Sequence, residues 1–183
     1  MNAVVDKKKI SILGGTGFVG RALCKRLLQD GHDVSVITRG PAPQIENDFA
    51  EVNLKVLTSS ATVDREEVLA DQDVLVNLSG ILHESGRQSF HDVHVEWPAS
   101  WTLAAHKAGV SQVLHMSALR ADMENPPSAY LRSKAAGERA VIDHANGMTI
   151  HIFRPSIIFG EGDNFFGQFA SLLRWVPVFP LVC

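Results

Sequence analysis

The chain has few cysteines, little net charge and no metal-ligand pattern, and each shortage excludes a class of protein. Two cysteines in 183 residues, Cys24 and Cys183, build no disulfide framework, so a reducing cytoplasm is the expected compartment. A net charge of −3 and a pI near 6.2 give no reason to expect a nucleic acid as partner. His83, His91 and His94 fall near one another, but no cysteine or carboxylate set completes a recognisable ligand pattern. They read as surface and groove histidines, with no metal. No internal repeat and no low-complexity segment is present. Long apolar runs are missing too. The most apolar stretch, Phe165 to Cys183, carries Arg174 and is interrupted by Pro177 and Pro180, which argues against a spanning helix. It reads as a short amphipathic helix running into an irregular apolar tail. Met1 to Lys9 holds three lysines but opens neither a signal peptide nor a transit peptide.

What is present is a 45% apolar chain with room for one domain and a real core. Its organising stretch is Ile10-Ser11-Ile12-Leu13-Gly14-Gly15-Thr16-Gly17-Phe18-Val19-Gly20. An apolar run stops at two glycines, and a helical pattern then continues to Gly31. Strand, tight turn and helix make the first half of a dinucleotide-binding βαβ unit. Gly14 allows the turn off the strand, Gly17 lets a pyrophosphate approach the backbone, and Gly20 lets the helix pack closely. Free N–H groups of the helix's first turn, with the positive end of its dipole, suit phosphate.

Further strands are expected at His32–Thr38, Leu54–Leu57, Asp73–Gly80, Gln112–Ser117 and Thr149–Phe153. Between them lie a loop over Gly40–Asp48, a short helix over Val63–Leu69 opened by Asp64, and a loop over Ile81–Asp92 crossing the groove. A helix over Asp92–Ala108 follows, closed by Gly109. The strand ending in Ser79 and Gly80 is apolar almost throughout, as a parallel strand covered on both faces should be. Ligands lie beyond the carboxyl ends of such strands, which brings Ser79, Gly80 and Ser117 to the groove. The second strand ends in Arg39, where an acidic residue would hold the adenosine ribose of NAD(H). A guanidinium there suits a 2′-phosphate, so NADP(H) is preferred, with NAD(H) the alternative. Ser128 caps a helix from Ala129 to about His144. On it Tyr130 and Lys134, four apart, share one face. The lysine's charge is expected to favour the phenolate and lower the tyrosine pKa. Trp97 and Trp101, also at helical spacing, read as core or helix-packing surface, with a partner interface as the other option.

The glycine motif, Tyr130-x-x-x-Lys134, Met116-Ser117-Ala118-Leu119-Arg120-Ala121-Asp122 and Arg154-Pro155-Ser156-Ile157-Ile158-Phe159-Gly160 together carry a resemblance. The chain resembles the extended and atypical short-chain dehydrogenase/reductase superfamily (NAD-dependent epimerase/dehydratase-like). It is nearest the branch holding the NADPH-binding alpha-subcomplex accessory subunit of respiratory complex I and its bacterial relatives. Asp92-Val93-His94-Val95 and Ser128 to Ala135 belong to the same match. The resemblance implies an α/β Rossmann-type doubly wound parallel sheet over residues 1–160, with 161–183 opening a truncated substrate lobe. It implies cofactor contacts at Gly14, Thr16, Gly17, Phe18, Val19, Arg39, Tyr130, Lys134, Pro155 and Ile158, with Ser79 and Gly80 beside them. Catalysis in such a family would use Tyr130 as acid–base, Lys134 as its partner and Ser117 to orient substrate. Here Ser117 precedes Tyr130 by only thirteen residues, and Ala118 occupies the place of a catalytic serine. Two functions stay open. One is an NAD(P)H-holding protein, associated with a membrane protein complex and peripheral to the inner membrane. The other is an NADP(H)-dependent reductase or sugar-nucleotide epimerase/dehydratase.

Overall fold

A computed structural model describes residues 6–39, 48–56, 64–86, 88–160 and 163. Six strands form one parallel sheet: β1 Lys9–Leu13, β2 Asp33–Thr38, β3 Asn53–Val56, β4 Val74–Asn77, β5 Gln112–Met116 and β6 Thr149–Phe153. Their spatial order is β3-β2-β1-β4-β5-β6. The order reverses at β1, which pairs with both β2 and β4; Ile12 lies opposite Val36 on one side and Val76 on the other. A crevice opens at such a reversal, beyond the carboxyl ends of the strands. The expected doubly wound Rossmann-type sheet is therefore observed.

Strand alternation divides the core between the two faces of the sheet. Ile10, Ile12, Val34, Val36, Val74 and Val76 point to one face, where α1 (Phe18–Gln29) supplies Cys24. Leu13, Ile37, Leu75 and Val113 point to the other. There they meet Leu69 of α2 (Arg65–Leu69), Trp101 and Ala105 of α3 (Trp97–Lys107), and Val141 of α4 (Ala129–Asp143). Full burial of each such side chain is worth roughly 1.5–3 kcal/mol, so both faces hold the sheet between helical layers.

The expected caps are present. Asp64 accepts from Glu66 N at 2.9 Å and Glu67 N at 3.3 Å, which starts α2 at Arg65, two residues later than the sequence pattern suggests. Ser128 Oγ accepts from Leu131 N at 3.1 Å and opens α4. One element departs from expectation. Asp92 does not begin an α-helix; Asp92–Glu96 is a single π-helical turn, and Trp97 N donates back to Asp92 O. Pro98 follows at once, with no N–H to give, and a widened turn is a stable way into a helix whose ladder starts short of a donor. The expected loop over residues 40–47, Leu57 and nearly all of the segment 161–183 lie outside the described residues.

Candidate functional site

The cleft at the sheet's reversal has a volume of about 510 Å³. Gly14, Thr16, Gly17, Arg39, Ser79 and Gly80 all line it, so six of the residues singled out in the sequence share one cavity. Ile81, Gln88, Asp92, Val93 and Trp97 complete the wall from the loop after β4 and the π turn.

The glycine turn works through backbone geometry. Gly14 sits at φ +79°, a left-handed conformation that favours glycine, and a methyl group there would press on the backbone of Leu78 and Ser79 at 3.0–3.1 Å. At Gly20 a methyl group would come within 2.3 Å of Gly14 O and 2.5 Å of Gly15 Cα. The helix thus packs on the turn itself, and Gly15, which the sequence motif left out, lies against Val36 in the same way. Gly17 differs: its nearest neighbour would be Gly14 O at 3.3 Å, with the cleft beyond. It is the N-cap of α1, has no side chain to satisfy the first N–H groups, and no acidic residue follows in the first turn. Those donors follow directly on Gly17, which lines the cavity, and carry the positive end of the helix dipole.

At the other side of the turn stands Arg39. Its guanidinium lies over the Trp97 indole, 5.9 Å from the ring centroid, and with the Gln88 amide oxygen turned towards it both terminal nitrogens donate, at 2.6 and 2.8 Å. Trp101 is fully buried and meets Trp97 edge-on at 5.7 Å. One tryptophan of the pair is core, as expected. The other is cavity wall, a role its helical spacing did not reveal.

Tyr130 and Lys134 reach a different place. Lys134 is buried and its Nζ donates to Met116 O at 2.6 Å; a methyl group at Gly80 would stand 4.0 Å from that nitrogen. The ammonium is therefore anchored behind the rim of the cleft. Burial pushes its pKa down to about 8, partly opposed by the Glu138 carboxylate. The expected effect on the phenol does not occur. Burial raises the Tyr130 pKa instead, while the lysine ammonium is hydrogen-bonded to a strand carbonyl rather than to the phenol. Ser117 is buried as well. Its hydroxyl lies beside Glu138 and helps hold that carboxyl ionised, without reaching a full hydrogen bond.

Phe18 does not line the cavity and lies against the segment after β6, where a methyl group at Gly160 would meet its ring at 3.4 Å. Pro155 O accepts from Leu119 N at 2.8 Å, which ties the segment after β6 to the exit of β5. Ile158 is exposed, and Val19 lies in the first turn of α1; neither lines the cavity.

Three groups around Lys134 were not legible in the sequence. Glu138 and Arg154 form a two-pronged pair, Nε to Oε1 at 2.8 Å and Nη2 to Oε2 at 2.6 Å, with Asp122 at 3.3 Å from Nη1. The arginine holds the Glu138 carboxyl below its ordinary pKa despite burial. His115 Nδ1 pairs with Asn77 Nδ2 at 3.0 Å, and burial with the Lys134 charge drives its pKa down to about 3. His94, also buried, uses both ring nitrogens, and the same two causes bring its pKa to about 4. Among the described residues no group of histidine, cysteine and carboxylates could hold a metal.

Similarity to known proteins runs along the whole described fold. The mitochondrial NADH dehydrogenase [ubiquinone] 1 alpha subcomplex subunit 9 of Mus musculus is 32% identical over 180 residues, covering 94% of this chain and 46% of the relative. A ceramide reductase of Caulobacter vibrioides is 29% identical over 175 residues, covering 94% of this chain and 53% of the relative. The chain spans about half the length of the curated relatives it matches. Among solved structures, UDP-glucuronic acid 4-epimerase from Bacillus cereus in complex with NAD superposes with a TM-score of 0.69. Its identity is 21%, and the match covers 83% of this chain and 58% of that one. With the reversing parallel sheet, the glycine turn at its crevice and a family match over residues 10–174, the chain belongs to the NAD dependent epimerase/dehydratase family.

Proposed function

We propose that the cleft holds a dinucleotide phosphorylated on its adenosine ribose, NADP(H) in preference to NAD(H), and that binding rather than turnover is the principal duty of this chain. One observation carries the reading: Arg39 stands in the same cavity as Gly14, Thr16 and Gly17, at the end of β2 and at the other side of the turn. The pyrophosphate would rest on the uncapped N–H groups at the start of α1, where only a glycine at position 17 leaves room. The adenosine 2′-phosphate would exchange for the Gln88 amide on Arg39. Ser79 and Gly80 would flank the cofactor from β4, Phe18 and Val19 from the first turn of α1. Tyr130, Lys134, Pro155 and Ile158 belong to its nicotinamide end.

When bound, such a cofactor supplies hydride transfer to or from a carbon substrate. In that second reading Tyr130 would hold the substrate proton, Lys134 would set the local charge, and Ser117 would orient the substrate. A lysine with pKa about 8 beneath the rim favours it, while a phenol raised by burial and a serine turned into the protein favour binding alone. The relatives from the NADH dehydrogenase alpha subcomplex support association with a membrane protein complex, the chain itself lying peripheral to the membrane. No helix among the described residues is long and apolar enough to cross a membrane.

Calorimetric titration with NADPH and with NADH tests the reading. Charge-assisted hydrogen bonds to a phosphate are worth about 1.5–3 kcal/mol, so NADPH should bind on the order of tenfold tighter or more. In Arg39→Asp that preference should vanish, while NADH affinity changes little. Equal affinities in the parent chain would overturn the phosphate role of Arg39.

A further inference from the structure

Between the cleft wall and α4 runs a hydrogen-bond chain with a single sense. Ile81 N donates to His94 Nε2 at 3.0 Å, which makes that nitrogen the acceptor and puts the ring proton on Nδ1. His94 Nδ1 then donates to Ser133 Oγ at 2.8 Å, and Ser133 Oγ donates to Tyr130 O at 2.7 Å. Every proton in the chain has a defined place. His94 itself is 1% exposed, and the links on either side of it are half-buried.

The surroundings are shaped for this contact. A methyl group at Gly137 would come within 2.0 Å of His94 O, so α4 is pressed onto the π turn at that residue and at no distance a larger side chain would allow. The π turn buries His94 together with its neighbour Val93, while Asp92 and Glu96 stay exposed. On the ring's faces and edges, Phe90 stacks at 5.3 Å and Tyr130 meets it edge-on at 5.5 Å. A methyl group at Gly80 would stand 3.6 Å from His94 Nε2 and 4.0 Å from Lys134 Nζ.

We infer that His94 is a positioning residue that locks the cleft loop Gly80–Ile81 to the helix carrying Tyr130 and Lys134, through the chain Ile81 N–H to His94 to Ser133 to Tyr130 O. It touches neither end of the cleft's ligand. It fixes the distance between the cleft wall on one side and the phenol and ammonium on the other, and it holds the Tyr130 ring in its half-buried place. This rests on the proposed function only in so far as the cleft is a dinucleotide site.

Tyr130 is the chain's single tyrosine, so tyrosinate absorbance on alkaline titration reads that residue alone. Three variants of the full chain separate the chain of hydrogen bonds from mere packing. His94→Phe keeps a ring but removes both polar links; His94→Gln keeps an acceptor and a donor; Ser133→Ala removes the middle link alone. In His94→Phe, NADH affinity should fall about tenfold, the worth of a buried hydrogen bond, and the tyrosinate midpoint should drop towards the ordinary value near 10. Ser133→Ala should move both in the same direction by less, and it carries the test if His94→Phe does not fold. His94→Gln should restore most of both. Unchanged affinity and midpoint in Ser133→Ala and His94→Phe overturn the inference, as does a folded His94→Gln no better than His94→Phe. If the parent chain binds no dinucleotide, the reading of the cleft fails, and the midpoint with its rescue by glutamine still decides the role of His94.

Discussion

The two ends of the groove are made of opposite materials. At the glycine turn, function rests on backbone: a left-handed Gly14, a helix that touches the turn through Gly20, and uncapped N–H groups at Gly17. Around Lys134, function rests on side chains buried together: His94, His115, Glu138 and the lysine are all within the protein, paired through Arg154, Asn77, Ser133 and strand carbonyls. The first end is rigid because side chains are missing. The second is rigid because each of these four side chains holds at least one partner it cannot leave without a desolvation cost.

The comparison breaks most sharply at the glycines. Gly20→Val puts a branched side chain 2.3 Å from Gly14 O, a backbone atom that cannot move without undoing the turn. A loss of at least about 3 kcal/mol in denaturant unfolding is expected, together with loss of dinucleotide binding. Gly17→Val fills the cleft with only a 3.3 Å contact behind it. Its unfolding should shift by no more than about 1 kcal/mol while calorimetry shows no dinucleotide binding. If both variants lost stability equally, the division of labour between the two glycines would be wrong.

At the opposite end, Arg154→Leu removes the partner that holds Glu138 ionised. A carboxylate left buried without its counter-charge costs about 3 kcal/mol; with the guanidinium half-exposed at the strand end, about 2 kcal/mol is expected here. The cost should be largely recovered in the double variant Arg154→Leu, Glu138→Leu, because the uncompensated charge leaves with the arginine. A single variant as stable as the parent would show that the pair contributes nothing.

How much of this was legible in the sequence follows from how far each feature reaches along the chain. Strands β1, β4 and β6 and the glycine turn are local: an apolar run, a stop, a helix start, all within a dozen residues. The cleft's membership followed from topology, since a parallel strand delivers the residues after its carboxyl end to one edge. The polar cluster had no such signal. Glu138 and Arg154 are sixteen residues apart in unlike elements, and either alone reads as a solvated charge. The pattern around His94 predicts an α-helix; the π turn adds a residue to that turn and leaves His94 buried, and periodicity assumes no such step. The Tyr130–Lys134 spacing was read correctly as a shared face, but the face does not fix where an ammonium spends its hydrogen bonds. Met116 O, eighteen residues back and one strand away, claimed it.

That cluster also sets the smallest and broadest of the expected effects, the response to acid. His94 and His115 are held neutral in the fold, with pKa values of about 4 and about 3 against an ordinary 6.5. Lys134 and, for His115, the His94 ring face them as positive groups, while Glu138 opposes the shift at His115. The unfolded chain binds protons in a window where the folded chain does not, so stability is complete above pH 6.5 and falls as pH drops through 6.5 towards 4. Each histidine contributes up to about 1 kcal/mol per pH unit in that window. Lys134 produces the same sign at the other end: the unfolded lysine holds its proton up to 10.5 and the buried one to about 8, so stability rises between those values. Denaturant unfolding at pH 7, 5.5 and 4.5 reads the acid limb directly, and His94→Gln should remove about half of its slope. The glycine-turn variant Gly17→Val should leave the slope untouched, because it touches neither His94 nor His115 and the Asp92 carboxyl in its cavity is held below the ordinary carboxylate range by its hydrogen bonds to Ser89. A slope unchanged by His94→Gln would mean that the acid response comes from the surface carboxylates and that the buried histidines are silent.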